Sequence, residues 1–213
     1  MSKTIRISKS WDGKTEIDTT PYKINFSLDP SNGELVIAID APFFNDEFKP
    51  NAEPSKFDTL YQYEVVEVFL GTKLSISETV SPYLELNVGP HGHYNLVYFI
   101  NEAEWDTSDT TMELDQLPKC TIDETTQRWT SCCRIPAFLL PQPMCAAEGD
   151  LSVEWTVNAY AIHGTGANRT YWAANKVGGT APNFHQLQSF FPLVLIETEG
   201  KVYQRVVYLS IIL

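Results

Sequence analysis

The sequence predicts an all-β protein, an antiparallel β-sandwich of jelly-roll type with about ten strands. Segments that alternate apolar and polar residues recur along the chain, and turn-forming residues separate them. Helical periodicity is almost missing, and strands do not alternate with helices. With 213 residues and 43% hydrophobic content, we expect a single domain over 1–213, with its core at about 20–197 and flanking strands or tails at 1–19 and 198–213.

The N-terminal part of the chain predicts a strand and a hairpin. Residues 3–9 alternate like a half-buried strand, and residues 22–40 contain two such runs around a cluster of turn formers. We expect Asn32 and Gly33 to supply the positive φ angles of this hairpin turn. The Pro- and Phe-rich residues 42–60 predict a long loop.

The stretch 60–99 contains the strongest strand signals. Strands are predicted over 61–70, 83–88 and 94–100, with a Gly-Pro-His-Gly turn before the third. Successive side chains of a strand point to opposite faces, so the first two strands predict an aliphatic face and a polar one. The aliphatic face carries Val66, Val68, Leu84 and Leu86, and the polar face carries Glu67, Glu85 and Asn87.

The later part of the chain predicts further strands. A strand pair is expected over 120–122 and 128–135, one short helical turn over 137–140, a long strand over 151–162 and a last strand within 184–197.

The acidic residues 101–118 are typical of a solvated loop. A calcium site is the alternative for that run, but the spacing of a calcium-binding loop is missing. The apolar residues 206–213 are far fewer than the roughly 20 that a membrane-spanning helix needs, so they favour a final strand.

Charge and cysteine content limit the possible partners and location. The net charge of −12 and the pI of about 4.7 argue against binding to nucleic acid or to an anionic membrane. The first 18 residues lack the apolar segment of a secretory signal, so we expect a cytoplasmic protein. The four cysteines show no metal-ligand spacing, which favours reduced thiols.

An ordered set of segments resembles a known group of β-sandwiches. The segments are VEVFLG at 66–71, YLELNVGPHG at 83–92, WTVNAY at 155–160, and then Trp172, Phe184, His185 and Phe190. This set is similar to family-9 carbohydrate-binding modules, and to an uncharacterised, mostly animal family named after a human chromosome-4 open reading frame. The resemblance covers most of 20–197. It implies a one-domain antiparallel sandwich whose relatives bind sugars or, in other branches, haem.

The chain departs from both kinds of relative at the ligand positions. The sugar-binding modules clamp a sugar between two exposed tryptophans. Trp105 and Trp172 lie in loop-like contexts and are the candidates, whereas Trp11, Trp129 and Trp155 are expected to pack in strands or core. The haem-binding branch implies Met and His ligands. Both candidate methionines, Met112 and Met144, lie in polar or Pro-rich loops, so we predict no haem and no other cofactor.

Other residues could support metal binding or nucleophilic catalysis. His91 and His93 flank a glycine on the predicted turn and would need Glu85 or His185 as further ligands for zinc. Two loop histidines are more often surface residues, so we predict no metal site. Cys133, beside an arginine, is a weak candidate for a nucleophile.

Glu67 and Glu85 could form the carboxylate pair of a glycoside hydrolase. The competing interpretation is that these acids bond Arg128, Arg134 or Arg169 and close the sheet face.

The sequence thus favours a non-enzymatic module that binds a carbohydrate-like or other small polar ligand. A glycoside hydrolase using Glu67 and Glu85, and an interaction domain without a small-molecule site, are the alternatives. The predicted ligand-binding residues are Glu67, Glu85, Asn87, Asn158, Trp172 and His185.

Overall fold

The computed structural model describes residues 2–17, 20–47, 50, 53–72, 82–99, 110–141, 144–145 and 152–196. Within these residues the protein is all-β, and its strands pair antiparallel in two sheets, which confirms the predicted fold class. The strands are β1 (Ser2–Ile7), β2 (Lys9–Ser10), β3 (Tyr22–Leu28), β4 (Leu35–Pro42), β5 (Val65–Thr72), β6 (Tyr83–Val88), β7 (Tyr94–Phe99), β8 (Thr110–Thr111), β9 (Lys119–Asp123), β10 (Arg128–Ile135), β11 (Met144–Cys145), β12 (Ser152–His163), β13 (Thr170–Ala173) and β14 (Phe191–Ile196).

The two sheets differ in size and connectivity. The five-stranded sheet has the order β1-β3-β4-β10-β9. The nine-stranded sheet has the order β2-β13-β12-β5-β6-β7-β8, and β11 and β14 also pair with β12. The chain leaves the first sheet after β1 and joins the second at β2, so the N-terminal residues contribute an edge strand to both.

The main core lies between the sheets. Apolar side chains at alternate positions of β3 and β4 meet Val66, Val68, Leu84 and Leu86 from β5 and β6 in one buried cluster. Trp129 and Trp155 are buried in this cluster, as predicted. The predicted aliphatic face of the stretch 60–99 is therefore confirmed as the core face.

The nine-stranded sheet is also covered on its outer face. A second apolar cluster lies there, and it includes Phe69, Tyr83, Phe99, Tyr160 and Phe184. Every residue of β6 is consequently buried, although the strand alternates in sequence. The polar side chains of this face therefore lie among buried aromatic rings and not on an open surface.

The structure corrects two local predictions. The predicted strand 61–70 begins only at Val65, because Leu60–Gln62 forms a 3-10 turn closed by the bond from Tyr63 N to Leu60 O. In the hairpin turn only Gly33 has a positive φ. Asn32 contributes instead through its side-chain oxygen, which accepts the backbone N–H of Glu34.

Other predictions fall partly or wholly outside the described residues. These are the acidic run at 101–109, with Trp105, and the apolar run at 206–213. The predicted helical turn after β10 is confirmed as a 3-10 turn over Ala137–Leu139. In the part of the chain that the structure describes, we find no helix of the length and hydropathy that crossing a membrane requires.

Candidate binding cleft

A cleft of about 580 Å³ opens on the outer face of the nine-stranded sheet. This volume lies within the usual range for small-molecule sites. Its lining combines polar side chains of the sheet with aromatic and polar side chains of the surrounding loops. The lining residues are Asp58, Tyr61, Gln62, Glu67, Glu85, Asn87, Asn95, Val97, Phe99, Ile162, Arg169, Tyr171, Pro182, Asn183, Phe184 and His185.

Strand register assembles the floor of the cleft. Glu67 of β5 lies opposite Asn87 of β6, and Asn87 lies opposite Asn95 of β7, so three polar side chains form a row across the sheet. Glu85 lies two residues from Asn87 on the same face. All four side chains are buried. The structure thus brings together Glu67, Glu85 and Asn87 as the strand alternation predicts.

The floor contains hydrogen-bond acceptors without donors. Asn87 Nδ2 donates to Glu85 Oε1 at 2.7 Å, and Asn95 Nδ2 donates to the carbonyl of Asp58 at 3.4 Å. The amide oxygens of Asn87 and Asn95 are buried and have no hydrogen-bond partner among the described residues. A buried polar group without a partner costs about 1–3 kcal/mol, so native structures rarely retain one without a reason.

Both glutamates of the floor have perturbed pKa values. Burial is the main cause that raises the pKa of Glu67 well above its usual value, and the nearby charge of Glu85 raises it further. Burial also raises the pKa of Glu85, against the opposing effect of its hydrogen bond from Asn87. Two neighbouring carboxyl groups in a cleft, each with a raised pKa, are a recognised indication of a functional site.

Arg128 and Arg134 form ion pairs with other carboxylates, away from the cleft. Arg128 pairs with Asp40 at 2.6 Å, and Arg134 pairs with Asp29 and Glu34 on the other sheet. No ion pair joins an arginine to Glu67 or Glu85 within the described residues. The interpretation that these arginines close the sheet face by bonding the two glutamates is therefore wrong.

Arg169 lines the cleft, but its guanidinium donates its hydrogen bonds to backbone carbonyls. Its guanidinium donates to the carbonyls of Gln62 at 2.8 Å and Gly164 at 3.1 Å, and also to that of Tyr61. It lies 5.6 Å from the ring centre of Tyr171. Arg169 therefore fixes the loops of the rim and lowers the pKa of Glu67 only through space.

His185 connects the rim to the floor. Its Nδ1 is 2.7 Å from the hydroxyl of Tyr83, and its Nε2 is 3.8 Å from Glu85 Oε2. The Phe99 ring and the imidazole pack in an edge-to-face arrangement with their ring centres 4.9 Å apart. The prediction that His185 lies near the sheet rim agrees with this position, and it lines the cleft.

Aromatic rings form the walls. Tyr61 is 50% exposed, and Tyr171 is half-buried. Phe184 is held by stacking on Tyr160 at 4.0 Å between ring centres. Aromatic walls around a few fixed polar groups are the usual arrangement for binding a polar ring compound.

Two of the predicted ligand-binding residues lie elsewhere. The Asn158 side chain is fully buried, and it bonds backbone atoms of Ala159, Asn175 and Ser189, so it anchors the loops that carry the rim. Trp172 points to the opposite face of the sheet, where it packs against the main core. The structure places neither side chain in the cleft, because the first is covered by loops and the second has the wrong strand parity.

The predicted hairpin histidines form no metal cluster in the described residues. No group of three or more potential ligands that could hold a metal ion occurs in this part of the chain. His93 is buried against Phe57, and His91 packs against Phe43. The weak nucleophile candidate Cys133 is buried in the main core, which raises its pKa to about 12 and makes it a poor nucleophile.

Sequence reasoning did not select several lining residues. Asn95 could have been found, because strand alternation in β7 places it on the same face as Asn87. Tyr61 and Tyr171 could not, because no sequence pattern shows which loops fold over that face. For Arg169 the sequence predicts only an ion pair, not a place in the cleft lining.

Fold and cleft together define an all-β sandwich protein with a ligand-sized cleft on one outer sheet face. The UPF0462 protein C4orf33 homolog of Danio rerio is 31% identical over 92% of this chain and 90% of its own length. The human UPF0462 protein C4orf33 is 30% identical over 87% of this chain and 84% of its own. The chain belongs to the UPF0462 (C4orf33) family.

A solved structure has a similar fold. It is described as a putative carbohydrate-binding protein of Bacteroides uniformis ATCC 8492, with a TM-score of 0.59 and 11% identity over 92% of this chain and 86% of that one. At this identity the similarity shows the fold alone. No protein-family model matches the sequence.

Proposed function

We propose that this protein is a non-enzymatic binding module that holds a carbohydrate-like ligand in the cleft. The observation that carries the proposal is that the amide oxygens of Asn87 and Asn95, beside two buried carboxyls, are buried and accept no hydrogen bond from any described residue. Sugar hydroxyls are donors that could satisfy such acceptors, and a sugar's C–H face packs on aromatic rings. The description of the Bacteroides protein with the same fold agrees with this class of ligand.

The proposed site differs from the predicted residue set. It retains Glu67, Glu85, Asn87 and His185, and it adds Asn95 with the rings of Tyr61 and Tyr171. Asn158 and Trp172 are left out, because both side chains lie away from the cleft. The cleft with its aromatic walls also weakens the alternative of a pure interaction domain, for which we expected no concave aromatic patch.

A glycan array followed by calorimetry tests the proposal. We expect a set of related saccharides to bind the wild-type protein, and we expect Tyr61→Ala and Asn87→Ala to weaken that binding. Asn25→Ala is the matched control, because Asn25 lies on β3 of the other sheet and bonds Thr4. If no saccharide binds, or if the control weakens binding as much as the cleft variants, the proposal is wrong.

A glycoside hydrolase is the second candidate, and one observation favours it. Glu67 and Glu85 are diagonal neighbours on paired strands, typically about 7–8 Å apart, and they face a cleft with raised pKa values. One carboxyl could act as the acid and the other as nucleophile or base. Release of nitrophenol from nitrophenyl glycosides, lost in Glu67→Gln and Glu85→Gln, would establish hydrolysis; binding without turnover would exclude it for those substrates.

A cytoplasmic location, a single domain over 1–213 and the absence of nucleic-acid partners remain part of the proposal. They rest on the sequence arguments of charge and patterning.

A further inference from the structure

We propose that the ligand of the cleft is a saccharide that carries a free, protonated amine, and that Glu67 and Glu85 bind this ammonium group. The inference rests on the proposed function, because it assigns the chemical class of the sugar. It follows from the balance of donors, acceptors and charges around the floor.

When both of its carboxyls are ionised, the floor of the cleft is rich in acceptors and poor in donors. The amide oxygens of Asn87 and Asn95 have no donor among the described residues, and no hydrogen bond to Glu67 is formed there either. The Asn87 amide donates to Glu85 Oε1, which leaves the second oxygen of Glu85 3.8 Å from His185. A neutral hydroxyl supplies one donor, whereas an ammonium group supplies three and accepts none. The amine therefore matches the floor better than a hydroxyl does.

The charges that line the cleft also favour a cationic ligand. Asp58, Glu67 and Glu85 contribute three carboxyl groups, whereas Arg169 is the one arginine or lysine among the lining residues. The guanidinium of Arg169 is directed at three backbone carbonyls of the rim. Two of the carboxyl groups are buried close together without an ion pair to a lysine or arginine in the described residues. A bound cation would favour the ionised form of both carboxyls, so its binding would displace the proton that burial otherwise keeps on Glu67.

The aromatic walls are compatible with a cation as well as with a sugar ring. Tyr61, Tyr171 and Phe99 line the cleft, and the guanidinium of Arg169 already lies over the ring of Tyr171. A ring face attracts an ammonium group through its quadrupole. The uncharged part of an amino sugar would pack on these rings while its amine meets the carboxyls at the floor.

Calorimetry with three matched probes tests the inference. The probes are oligosaccharides of glucosamine, their fully N-acetylated counterparts and neutral glucose oligosaccharides of equal length. We expect the free amine to improve affinity about tenfold or more over both other probes, since hydrogen bonds between charged groups are stronger than those between neutral ones. Glu67→Gln should reduce the affinity for the amino form towards that of the neutral form. Glu124→Gln, an exposed acid in the turn after β9, should change neither.

The outcomes separate the inference from the function on which it rests. Equal binding of amino and neutral probes, weakened by Asn87→Ala, would overturn the ammonium assignment and leave the binding module intact. Failure of every saccharide to bind would overturn both. A linear polyamine that binds as tightly as the amino oligosaccharide would overturn the sugar assignment.

Discussion

Replacing Glu67 with glutamine should make the protein more stable at neutral and alkaline pH. Glu67 is 3% exposed and has a pKa well above its usual value, mainly because it is buried. Ionisation of this group is therefore unfavourable in the folded protein and easy in the unfolded chain. Glutamine has nearly the same shape and no charge to bury.

The direction of the expected stability change, and its size per pKa unit, follow from proton linkage. Because the folded-state pKa is raised, the folded protein keeps a proton that the unfolded chain has lost, so stability falls as pH rises from the unfolded pKa through the folded one. Each unit by which the folded-state pKa exceeds the unfolded one corresponds to about 1.4 kcal/mol of stability that glutamine would restore at pH values above both. For a chain of this size, each ~1 kcal/mol restored raises the Tm by roughly 2–4 °C.

Thermal unfolding at two pH values tests this reasoning. We expect the Tm of Glu67→Gln to exceed that of wild type at pH 8, and the difference to disappear near pH 4, where the glutamate is protonated in both states. The exposed Glu124→Gln should show neither effect. An unchanged or lower Tm at pH 8, or an equal gain at both pH values, would refute the assignment of Glu67 as a buried acid that is costly to ionise.

Three further predictions concern the framework of the cleft. Asn158→Ala should destabilise the protein by about 2–4 kcal/mol in denaturant unfolding, because it removes four hydrogen bonds between this buried side chain and the backbone of Ala159, Asn175 and Ser189. Arg169→Lys should weaken ligand binding with a smaller loss of stability, since lysine cannot reproduce the fork that holds three carbonyls. Gly164→Ala should destabilise the protein far more than Gly166→Ala. Both glycines have a positive φ, but a Cβ atom at Gly164 would clash with the carbonyl oxygen of Asn168, whereas a Cβ atom at Gly166 would have no heavy atom of the described residues within 4 Å.

Strand alternation predicted the floor of the cleft because it depends on local sequence. The parity of Glu67, Glu85 and Asn87 follows from a period of two, and pairing β5 with β6 then places them side by side. The same rule could not reveal that loops cover this face, because loop paths depend on contacts between residues distant in sequence. Asn158 shows the consequence: its parity is that of the cleft face, but the residues around Asn175 and Ser189 fold over it.

The prediction that Trp172 binds the ligand fails for a related reason. A tryptophan in a loop-like sequence context suggested an exposed ring, but the residue belongs to β13 and pairs with Ala161 and Ser10. Because β13 is paired along both of its edges, the side chain of Trp172 can lie on only one face of the sheet. That face packs against the main core. The short strand gave too few residues to show an alternation in the sequence.

Three buried glutamates of the nine-stranded sheet region differ in the hydrogen bonds that their carboxyl groups accept. Glu64 is also buried, and its pKa is raised to about 7, mainly by burial, but its oxygens accept the backbone N–H groups of Phe44 at 3.0 Å and Asp46 at 3.4 Å. That carboxyl organises a loop, and its replacement should loosen the structure. Glu67 has no such bonds in the described residues, and Glu85 has one, from a side chain of the same floor. Burial of these two carboxyls should lower stability without closing the fold, a cost that agrees with the proposal that they belong to a ligand site.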